Sequence, residues 1–374
     1  MKRFSLYTLV LSSLLASACG NEQEVAEPVA GDGTQLTVKF VGDAMGGRAT
    51  RSSLVSEDPM HHVTSARILV FDGTDGEAPC VADETIDRWD ALATRGDTAI
   101  YTLKTYIPPR TDSEEEPPYT VMAVGLDDVS ARAYQFDHPA TLAAAQMVLN
   151  TTAGAEQAQD NMAHAEFFTG QTEAPLGARL HNEAVVEMRR RVAGVMAYFN
   201  HIPKEVTCID VVLHDQLNQH TTMPLAATNT YATDVLDNSR VLLRFEGWTD
   251  DDLKAETVTL ADGTTYTKEP GSLLMGAYVL PLDAPPTPPE GEKEKPTLQI
   301  IMYKDREKGE EYGRKNVLMP DRTMRYPLNA NAYYSIGRKN KDIDKPEDLD
   351  GKPGDSWLYV DGDWQANVDI DFDN

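Results

Sequence analysis

Three cysteines, eight histidines and sixty carboxylates are the candidates for chemistry in this chain of 374 residues. One of them, Cys19, directly follows an apolar run from Phe4 to Leu15 and the small residues 16–18, and Lys2 and Arg3 precede the run. A short positive region, about a dozen apolar residues and a small-residue site, in this order, are typical of a cleavable export signal. The run is too short to remain in the bilayer as a spanning helix.

The segment LLASAC, residues 14–19, resembles the lipobox of bacterial lipoproteins. The resemblance implies cleavage before Cys19, a diacylglycerol on its sulfur and a further acyl chain on its amine. Two or more acyl chains anchor a protein stably, because each buried methylene contributes about 0.8 kcal/mol. We therefore expect a signal peptide over residues 1–18 and a chain tethered to a membrane. The alternative is a secreted protein that is cut at the same place and carries no lipid.

Acidic residues dominate the charge of the chain. The net charge is −26, and loss of residues 1–18 removes two positive charges, which makes it −28. Nucleic-acid binding needs basic surface that replaces counterions at phosphates, so we expect no nucleic-acid partner. The same excess disfavours attraction to anionic lipid, so the membrane affinity has to come from the lipid on Cys19.

Motifs for catalysis and for metal binding are absent from the sequence. No histidine pair falls in HExxH or beside a CxxC, and GxSxG, SxxK, GxGxxG and Walker A patterns do not occur. The segment DGTDGE, residues 72–77, lacks the spacing of an EF-hand and is better explained by a turn. Cys80 and Cys208 lie in different predicted domains, which favours two unpaired thiols. The sequence thus predicts no enzyme, no cofactor and no metal site.

After a short polar tether, the sequence predicts mainly β-strands. Residues 19–33 carry four carboxylates without apolar periodicity and are predicted to form a solvated tether. In TQLTVKFVG, from residue 34, the alternation puts Leu36, Val38 and Phe40 on one face of a strand. Further strand patterns follow at ARILVF, TAIYTLKTYI, YTVMAVGL, VTCIDVVL, RVLLRFE, LLMGAYVL, TLQIIMY, NAYYSIG and SWLYV.

Two segments define the predicted domain organisation. An N-cap candidate at Asp137, Pro139 and the Ala-rich stretch after it predict a helix near residues 138–149. The segment AVVEMRRRVAGVMAYFNHIP, residues 184–203, favours one long strand that starts a second domain. Its apolar face would carry Val186, Met188, Val192 and Met196, and its polar face Glu187, Arg189 and Arg191. We expect two antiparallel β-sandwich domains, at residues 34–180 and 181–374, with the short helix as an insertion in the first.

The last segment, NVDIDFDN, alternates strictly between apolar and acidic residues. Val368, Ile370 and Phe372 share one face, while the aspartates share the other. Such a strand can fill an apolar groove with one face and stay soluble on the other, which suits strand addition between subunits. The alternative is a last strand that pairs within its own sheet.

A second terminal feature is the segment GDAMGGRATRSSLVSEDP, residues 42–59. Glycines and serines surround Arg48 and Arg51, so the segment is a candidate loop for an Arg-specific protease. A cut there would detach both the lipid and strand 34–42 and leave an empty groove in a sheet. The alternative is a polar connection without processing.

Six segments, in this order along the chain, carry a family resemblance: the lipobox at Cys19, ARILVFDGTDG (66–76), EFFTG (166–170), VEMRRRVAGVMAYFNHIP (186–203), NAYYSIGRK (331–339) and WLYVDGDWQANVDIDFD (357–373). With them, over nearly its whole length, the chain resembles the Bacteroidales fimbrillin family, the FimA/FimB and Mfa-type subunits of type V pili. The resemblance implies two transthyretin-like β-sandwich domains, export as a lipoprotein to the outer membrane and cell surface, and assembly into a fimbrium used for adhesion.

The resemblance also implies processing and partners. Polymerising subunits of such families lose an N-terminal segment after an Arg, a strand of a neighbouring subunit fills the vacated groove, and anchor subunits keep their lipid. GGRATRSS would match the processing site, with Arg51 preferred over Arg48. The implied partners are other fimbrial subunits, the outer membrane through lipid on Cys19, and a host or bacterial surface ligand.

The alternative function is a surface lipoprotein that does not polymerise and binds glycans. It requires a platform of exposed aromatic side chains, and the chain has four tryptophans. Trp357 and Trp364 lie in strand-like segments, where packing in the core is the expected role. The composition therefore favours the fimbrial subunit.

Overall fold

A computed structural model of the chain describes its strands and a few helical turns. The described residues are 33–42, 63–95, 98–110, 116–154, 161–176, 181–214, 222–225, 239–259, 265–285, 287, 290–291, 293–339, 344–350 and 355–361. The strands are β1 (Gln35–Gly42), β2 (Ser65–Phe71), β3 (Cys80–Ile86), β4 (Ala93–Arg95), β5 (Thr98–Thr102), β6 (Tyr119–Leu126), β7 (Tyr134–Gln135), β8 (Gln146–Leu149), β9 (Phe167–Ala174), β10 (His181–Arg190), β11 (Ala193–Asn200) and β12 (Cys208–Leu213). They continue with β13 (Thr222–Pro224), β14 (Arg240–Glu246), β15 (Thr257–Thr259), β16 (Thr265–Thr267), β17 (Leu273–Val279), β18 (Leu298–Asp305), β19 (Glu310–Leu318), β20 (Tyr333–Ile336), β21 (Arg338–Lys339), β22 (Asp344–Lys345), β23 (Glu347–Asp348) and β24 (Ser356–Asp361). The helical elements are α1 (Ser130–Ala133) and single 3-10 turns at Trp89–Ala91 and Leu142–Ala144.

The first large sheet has eight strands in the order β3-β2-β6-β9-β10-β1-β5-β4. Its central strands β2 and β6 are buried on both faces, which explains their continuous apolar sequences. Ile68 and Val70 of β2 point into one hydrophobic core, and Leu69 and Phe71 point into another. This sheet therefore stands between two cores.

The second large sheet has the order β14-β12-β18-β19-β24-β20-β11-β17, and β23 pairs with β11. The chain is thus mainly β with curled sheets, as the sequence predicts for sandwich domains. Pairing is not antiparallel throughout, because β1–β10, β11–β20, β11–β23 and β19–β24 are parallel. Each of these pairs joins strands that are separated by long connections, as parallel pairing requires.

The prediction of one helix over residues 138–149 is wrong. The segment forms one 3-10 turn at Leu142–Ala144 and then strand β8, which pairs with β7 and β13. In β8 the side chains of Met147 and Leu149 are buried in the larger core, whereas Gln146 is exposed. Helix propensity of the Ala-rich stretch is a weak preference, and strand pairing and burial override it here.

The single long strand predicted over residues 184–203 is also wrong. β10 ends at Arg190 and joins the first sheet, and β11 starts at Ala193 and joins the second sheet. The alternation stops there, since Arg190, Arg191 and Val192 are buried in succession. The division into domains at residues 34–180 and 181–374 stays a prediction.

Buried polar contacts hold the crossover between the two sheets. Arg190 lies 5.5 Å from the centre of the Phe168 ring, donates from Nε to Glu166 and donates from Nη1 to Asn331 Oδ1 at 3.2 Å. Arg191 Nη1 donates to Thr169 Oγ1 at 2.8 Å, and burial lowers the pKa of Arg191 to about 10. The crossover therefore depends on ionised side chains that are shielded from water.

We predict that Glu166→Ala destabilises the protein by about 3–5 kcal/mol, because it leaves the Arg190 guanidinium buried without its carboxylate. Glu187→Ala is the matched control, since Glu187 pairs with the exposed Arg189 at 3.0 Å and its loss should cost less than about 1 kcal/mol. Urea unfolding measures both variants. Equal losses in the two variants would contradict the role of the buried pair.

Candidate functional site

The first strand among the described residues, β1, lies inside a sheet rather than at its edge. β1 pairs in parallel with β10 from Gln35↔His181 to Gly42↔Met188. On its other side β1 pairs antiparallel with β5, from Thr37↔Thr102 to Phe40↔Ala99. Both edges of β1 are therefore occupied by strands that come much later in the sequence.

One face of β1 is completely buried. Leu36, Val38 and Phe40 are each 0% exposed, and the Phe40 ring lies 4.9 Å from the ring of Trp89. This is the face that the sequence alternation predicts. Burial of each such side chain contributes about 1.5–3 kcal/mol, so the apolar face supplies most of the stabilisation of β1.

The other face of β1 makes weaker polar contacts. Thr37 and Thr102 share a hydroxyl hydrogen bond of 3.0 Å, and Lys39 Nζ donates to Glu183 Oε2 at 2.6 Å. The carboxylate of Glu183 is well exposed, and ion pairs of this kind contribute about 0–1 kcal/mol. The polar face therefore contributes little to the free energy that holds β1 in the sheet.

The beginning of β1 is fixed by hydrogen bonds on both sides. Thr34 and Ile107 exchange two main-chain hydrogen bonds, of 2.7 and 3.0 Å. Leu103 N–H donates to the carbonyl oxygen of Leu36 at 2.9 Å, and Asn182 Nδ2 donates to Thr34 Oγ1 at 2.6 Å. These bonds extend the contact of β1 beyond β5 to the segment of residues 103–107.

Glu84 of β3 anchors the segment of residues 103–107, which together with β5 forms one wall of the slot that β1 occupies. Its carboxylate accepts hydrogen bonds from the main-chain N–H groups of Lys104 and Thr105, at 3.1 and 2.6 Å, and from the Tyr101 hydroxyl at 2.9 Å. Burial raises the pKa of Glu84, but these hydrogen bonds outweigh it and hold the pKa below its usual range. The wall is thus attached to the fold by contacts that do not involve β1.

A slot with fixed walls would remain if β1 were absent. The main-chain groups of β10 and β5 that now bond to β1 would lose their partners, and the buried face of the core would open. Unpaired backbone groups and exposed apolar surface are both costly. A strand with an apolar residue at every second position is therefore needed between β10 and β5.

The other residues that the sequence singles out for processing, lipidation and exchange stay predictions. Cys19, Arg48, Arg51, Val368, Ile370 and Phe372 all lie outside the described residues. Sequence reasoning missed Glu84 and Asn182, because each lies in a segment remote from β1 and belongs to no motif. Only the folded chain brings them to the slot.

The two cysteines that remain after Cys19 are free thiols, as expected. Cys80 is partly exposed and donates to the carbonyl oxygen of Ala82 at 3.2 Å, while Cys208 is buried in β12. Residues 72–77 form bends and a turn between β2 and β3, as predicted. Among the described residues no group of three or more His, Cys, Asp or Glu side chains is placed to hold a metal ion.

One tryptophan does not follow the prediction. Trp357 of β24 is 40% exposed rather than packed in a core. It directly follows Ser356, which is buried, so alternation along the strand turns its ring to the outside. Trp364 lies outside the described residues.

In the described part of the chain no helix is long and apolar enough to cross a membrane.

We predict that Phe40→Ala destabilises the protein by about 3–5 kcal/mol, because it removes a fully buried ring from the inner face of β1. Lys39→Ala is the control on the adjacent outer position, and its ion pair should account for less than about 1 kcal/mol. Thermal and urea unfolding of both variants measure the difference. If the two variants lose the same stability, the inner face does not hold the strand.

Comparisons with known proteins give similarities of fold. No family model and no curated protein matches the chain. Solved structures similar to it include a candidate adhesin from Bacteroides thetaiotaomicron, with 10% identity, a TM-score of 0.43 and coverage of 77% of this chain and 81% of that chain. The fimbrial anchor protein Mfa2 from Porphyromonas gingivalis has 12% identity, a TM-score of 0.36 and coverage of 80% and 90%. A fimbrial assembly protein from Parabacteroides distasonis has 12% identity, a TM-score of 0.33 and coverage of 81% and 90%. At these values the similarities carry no functional assignment, so function is inferred from the residues of this chain.

Proposed function

We propose that this chain is a fimbrial subunit, exported as a lipoprotein and assembled at the cell surface by β-strand exchange to support cell adhesion. The observation that carries the proposal is the position of β1. It is the first described strand, it lies between β10 and β5, and its apolar face is completely buried. The role is one of assembly and adhesion, not of catalysis.

The order of features along the chain suits release of β1 by a single cut. Cys19 precedes β1, and Arg48 and Arg51 follow it before β2 begins. A cut after either arginine would separate β1, together with the lipid site, from all the other described strands. β1 then stays in its slot through non-covalent contacts alone, and another strand can compete for the place.

The C-terminal segment of a second copy is the strand that we propose for the vacated slot. Val368, Ile370 and Phe372 repeat the spacing of Leu36, Val38 and Phe40, and both sets end in phenylalanine. Apolar side chains at alternate positions would enter the core, and main-chain groups would pair with β10 and β5. The intervening aspartates would face outward.

In this proposal the lipid on Cys19 keeps the exported chain at the outer membrane. Acylation would hold the exported chain at the outer membrane until the cut, and a subunit that is not cut would remain there as an anchor. The net charge of −26 adds no attraction to anionic lipid, so the acyl chains would supply the affinity. Other fimbrial subunits and a ligand on a host or bacterial surface are the proposed partners.

One observation favours the second candidate, a surface lipoprotein that binds glycans and does not polymerise. Trp357 is exposed, and an exposed indole ring is suited to stack on a sugar. The two candidates differ in the state of the protein on cells. Filaments of chains that begin at Ser52 or Ala49 support the fimbrial subunit, whereas full-length acylated monomers support the glycan binder or an anchor.

We predict that the double variant Arg48→Ala/Arg51→Ala keeps β1 and remains a lipid-bound monomer, because its slot is never vacated. Electron microscopy and intact-mass analysis of material sheared from cells measure assembly and processing together. Arg189→Ala, at an exposed site in β10, is the matched control and should assemble normally. Filaments of unchanged length and mass from the double variant would refute the role of the cut.

We predict that Cys19→Ser abolishes incorporation of a radiolabelled fatty acid, because no other residue supplies the lipobox thiol. Cys80→Ser keeps the lipobox and serves as the control, which should be labelled like the unaltered chain. Label on the Cys19→Ser variant would show that lipid is attached elsewhere. Absence of label from both the control and the unaltered chain would show that the protein is exported without lipid.

A further inference from the structure

A buried carboxylate lies on the outer face of the second sheet. In β12, Ile209 and Val211 point into the core, and Asp210 between them points to the opposite face. The side chain of Asp210 is only 2% exposed. Two arginines cover it: Arg244 lies directly opposite in β14, and Arg306 follows the end of β18.

The two arginines bind Asp210 in the same way. Arg244 Nε donates to Oδ1 at 3.0 Å, and Arg306 Nε donates to Oδ2 at 3.0 Å. Within the described part of the chain these are the only hydrogen bonds and ion pairs of Arg244 and Arg306. A guanidinium has five N–H donors, so the Nη groups of both side chains stay available.

The two arginine side chains are partly exposed and are held in place by Asp210. The side chains of Arg244 and Arg306 are 35% and 38% exposed, although Asp210 below them is buried. A carboxylate that bonds both Nε groups fixes the two guanidinium planes before any ligand arrives. Fixed guanidinium groups lose little freedom on binding and match the oxygens of carboxylate and sulfate groups.

Two titratable groups beside the arginines are uncharged. Burial, followed by Asp210 and Glu246, raises the pKa of Cys208 to about 12, so the thiol stays neutral. Burial also raises the pKa of Tyr303, whose hydroxyl stays protonated. Two carboxylates on the adjoining strands have cationic partners of their own, Glu311 with Arg314 and Asp305 with Lys308.

We propose that Arg244 and Arg306 form a binding site for an oxyanion group, a carboxylate or a sulfate, carried by an acidic saccharide. The ligand oxygens would accept hydrogen bonds from the Nη groups of both arginines. Asp210 is a positioning residue that holds the two guanidinium groups and does not touch the ligand.

A saccharide suits this site better than an acidic peptide strand. β14 is the edge strand of this sheet, so a peptide strand could add beside Arg244, but Arg306 follows β18, which lies on the other side of β12. A strand added at that edge would reach one arginine only, so recognition by both must come from side chains on the sheet face. A saccharide that presents one anionic group per sugar unit meets that requirement without main-chain pairing.

Glu246 opposes the ligand at close range. It is exposed at the end of β14 and lies opposite Cys208, with Oε2 3.9 Å from the Cys208 sulfur. A carboxylate here repels an incoming anion and offsets part of the charge of the arginines. The rest of the negative net charge acts weakly at physiological salt, where the screening length is about 8 Å.

The site is independent of β1 exchange, so it can be tested on the full mature chain before any cleavage. The probes are an unsulfated chondroitin oligosaccharide with carboxylates alone, a dextran sulfate oligosaccharide with sulfates alone, neutral dextran, and a poly-glutamate peptide. Titration calorimetry at physiological salt measures their affinities. We expect one or both anionic saccharides to bind and neutral dextran not to bind.

Variants assign the binding to the arginine pair. Arg244→Lys and Arg306→Lys keep a positive charge beside Asp210 and so protect the fold. Each variant loses the planar set of N–H donors of the guanidinium, so we expect the affinity for the saccharide to fall about tenfold in each. Glu246→Gln removes the repulsion and should tighten binding about threefold. Arg189→Lys, on the first sheet, is the matched control and should leave affinity unchanged.

Three results would overturn the proposal. They are the absence of binding to either anionic saccharide, equal affinity of the two lysine variants and the unaltered chain, and binding of poly-glutamate as tightly as of the saccharides. Thermal unfolding of each variant confirms that the fold is intact. Failure of this test leaves filament assembly unaffected, since assembly is measured by microscopy of sheared material.

Discussion

Backbone pairing in the middle of the first sheet is the constraint on which the rest of this structure depends. β1 is the first described strand and supplies the partner for one edge of β10 and one edge of β5. Main-chain groups inside a sheet have no access to water once the sheet is covered, so each needs a partner strand. The fold is complete only when a strand with alternating apolar residues occupies this position. Strand exchange, as proposed for this chain, would use such a requirement directly.

The contacts that hold the walls of the slot are separate from those that hold β1. Glu84 fixes residues 104 and 105, and the buried pair of Arg190 and Glu166 secures the end of β10. Removal of β1 would therefore take away one strand without releasing its neighbours. A slot with fixed walls accepts an incoming strand at a lower cost in conformational entropy than one that must first reorder.

The two proposed sites would recognise different chemistry. The slot of β1 would select a strand through main-chain hydrogen bonds and apolar side chains. The arginine pair on the second sheet would select an oxyanion through N–H donors on the face of the sheet. Because the two sites are separate, a subunit could be joined in a filament through one and hold a ligand through the other.

The sequence by itself determined the features that depend on short-range patterns. Alternation placed Leu36, Val38 and Phe40 on one buried face, and runs of apolar residues located strands such as β6 and β12. Tertiary structure decided which strands pair, because hydrogen bonding between strands is the same for any sequence and partners are chosen by packing. Tertiary structure also made part of the Ala-rich segment into strand β8, ended β10 at Arg190 before β11 begins, and left Trp357 exposed. Asp210, Arg244 and Arg306 lie in three separate segments, so no local pattern could have shown that one carboxylate holds both arginines.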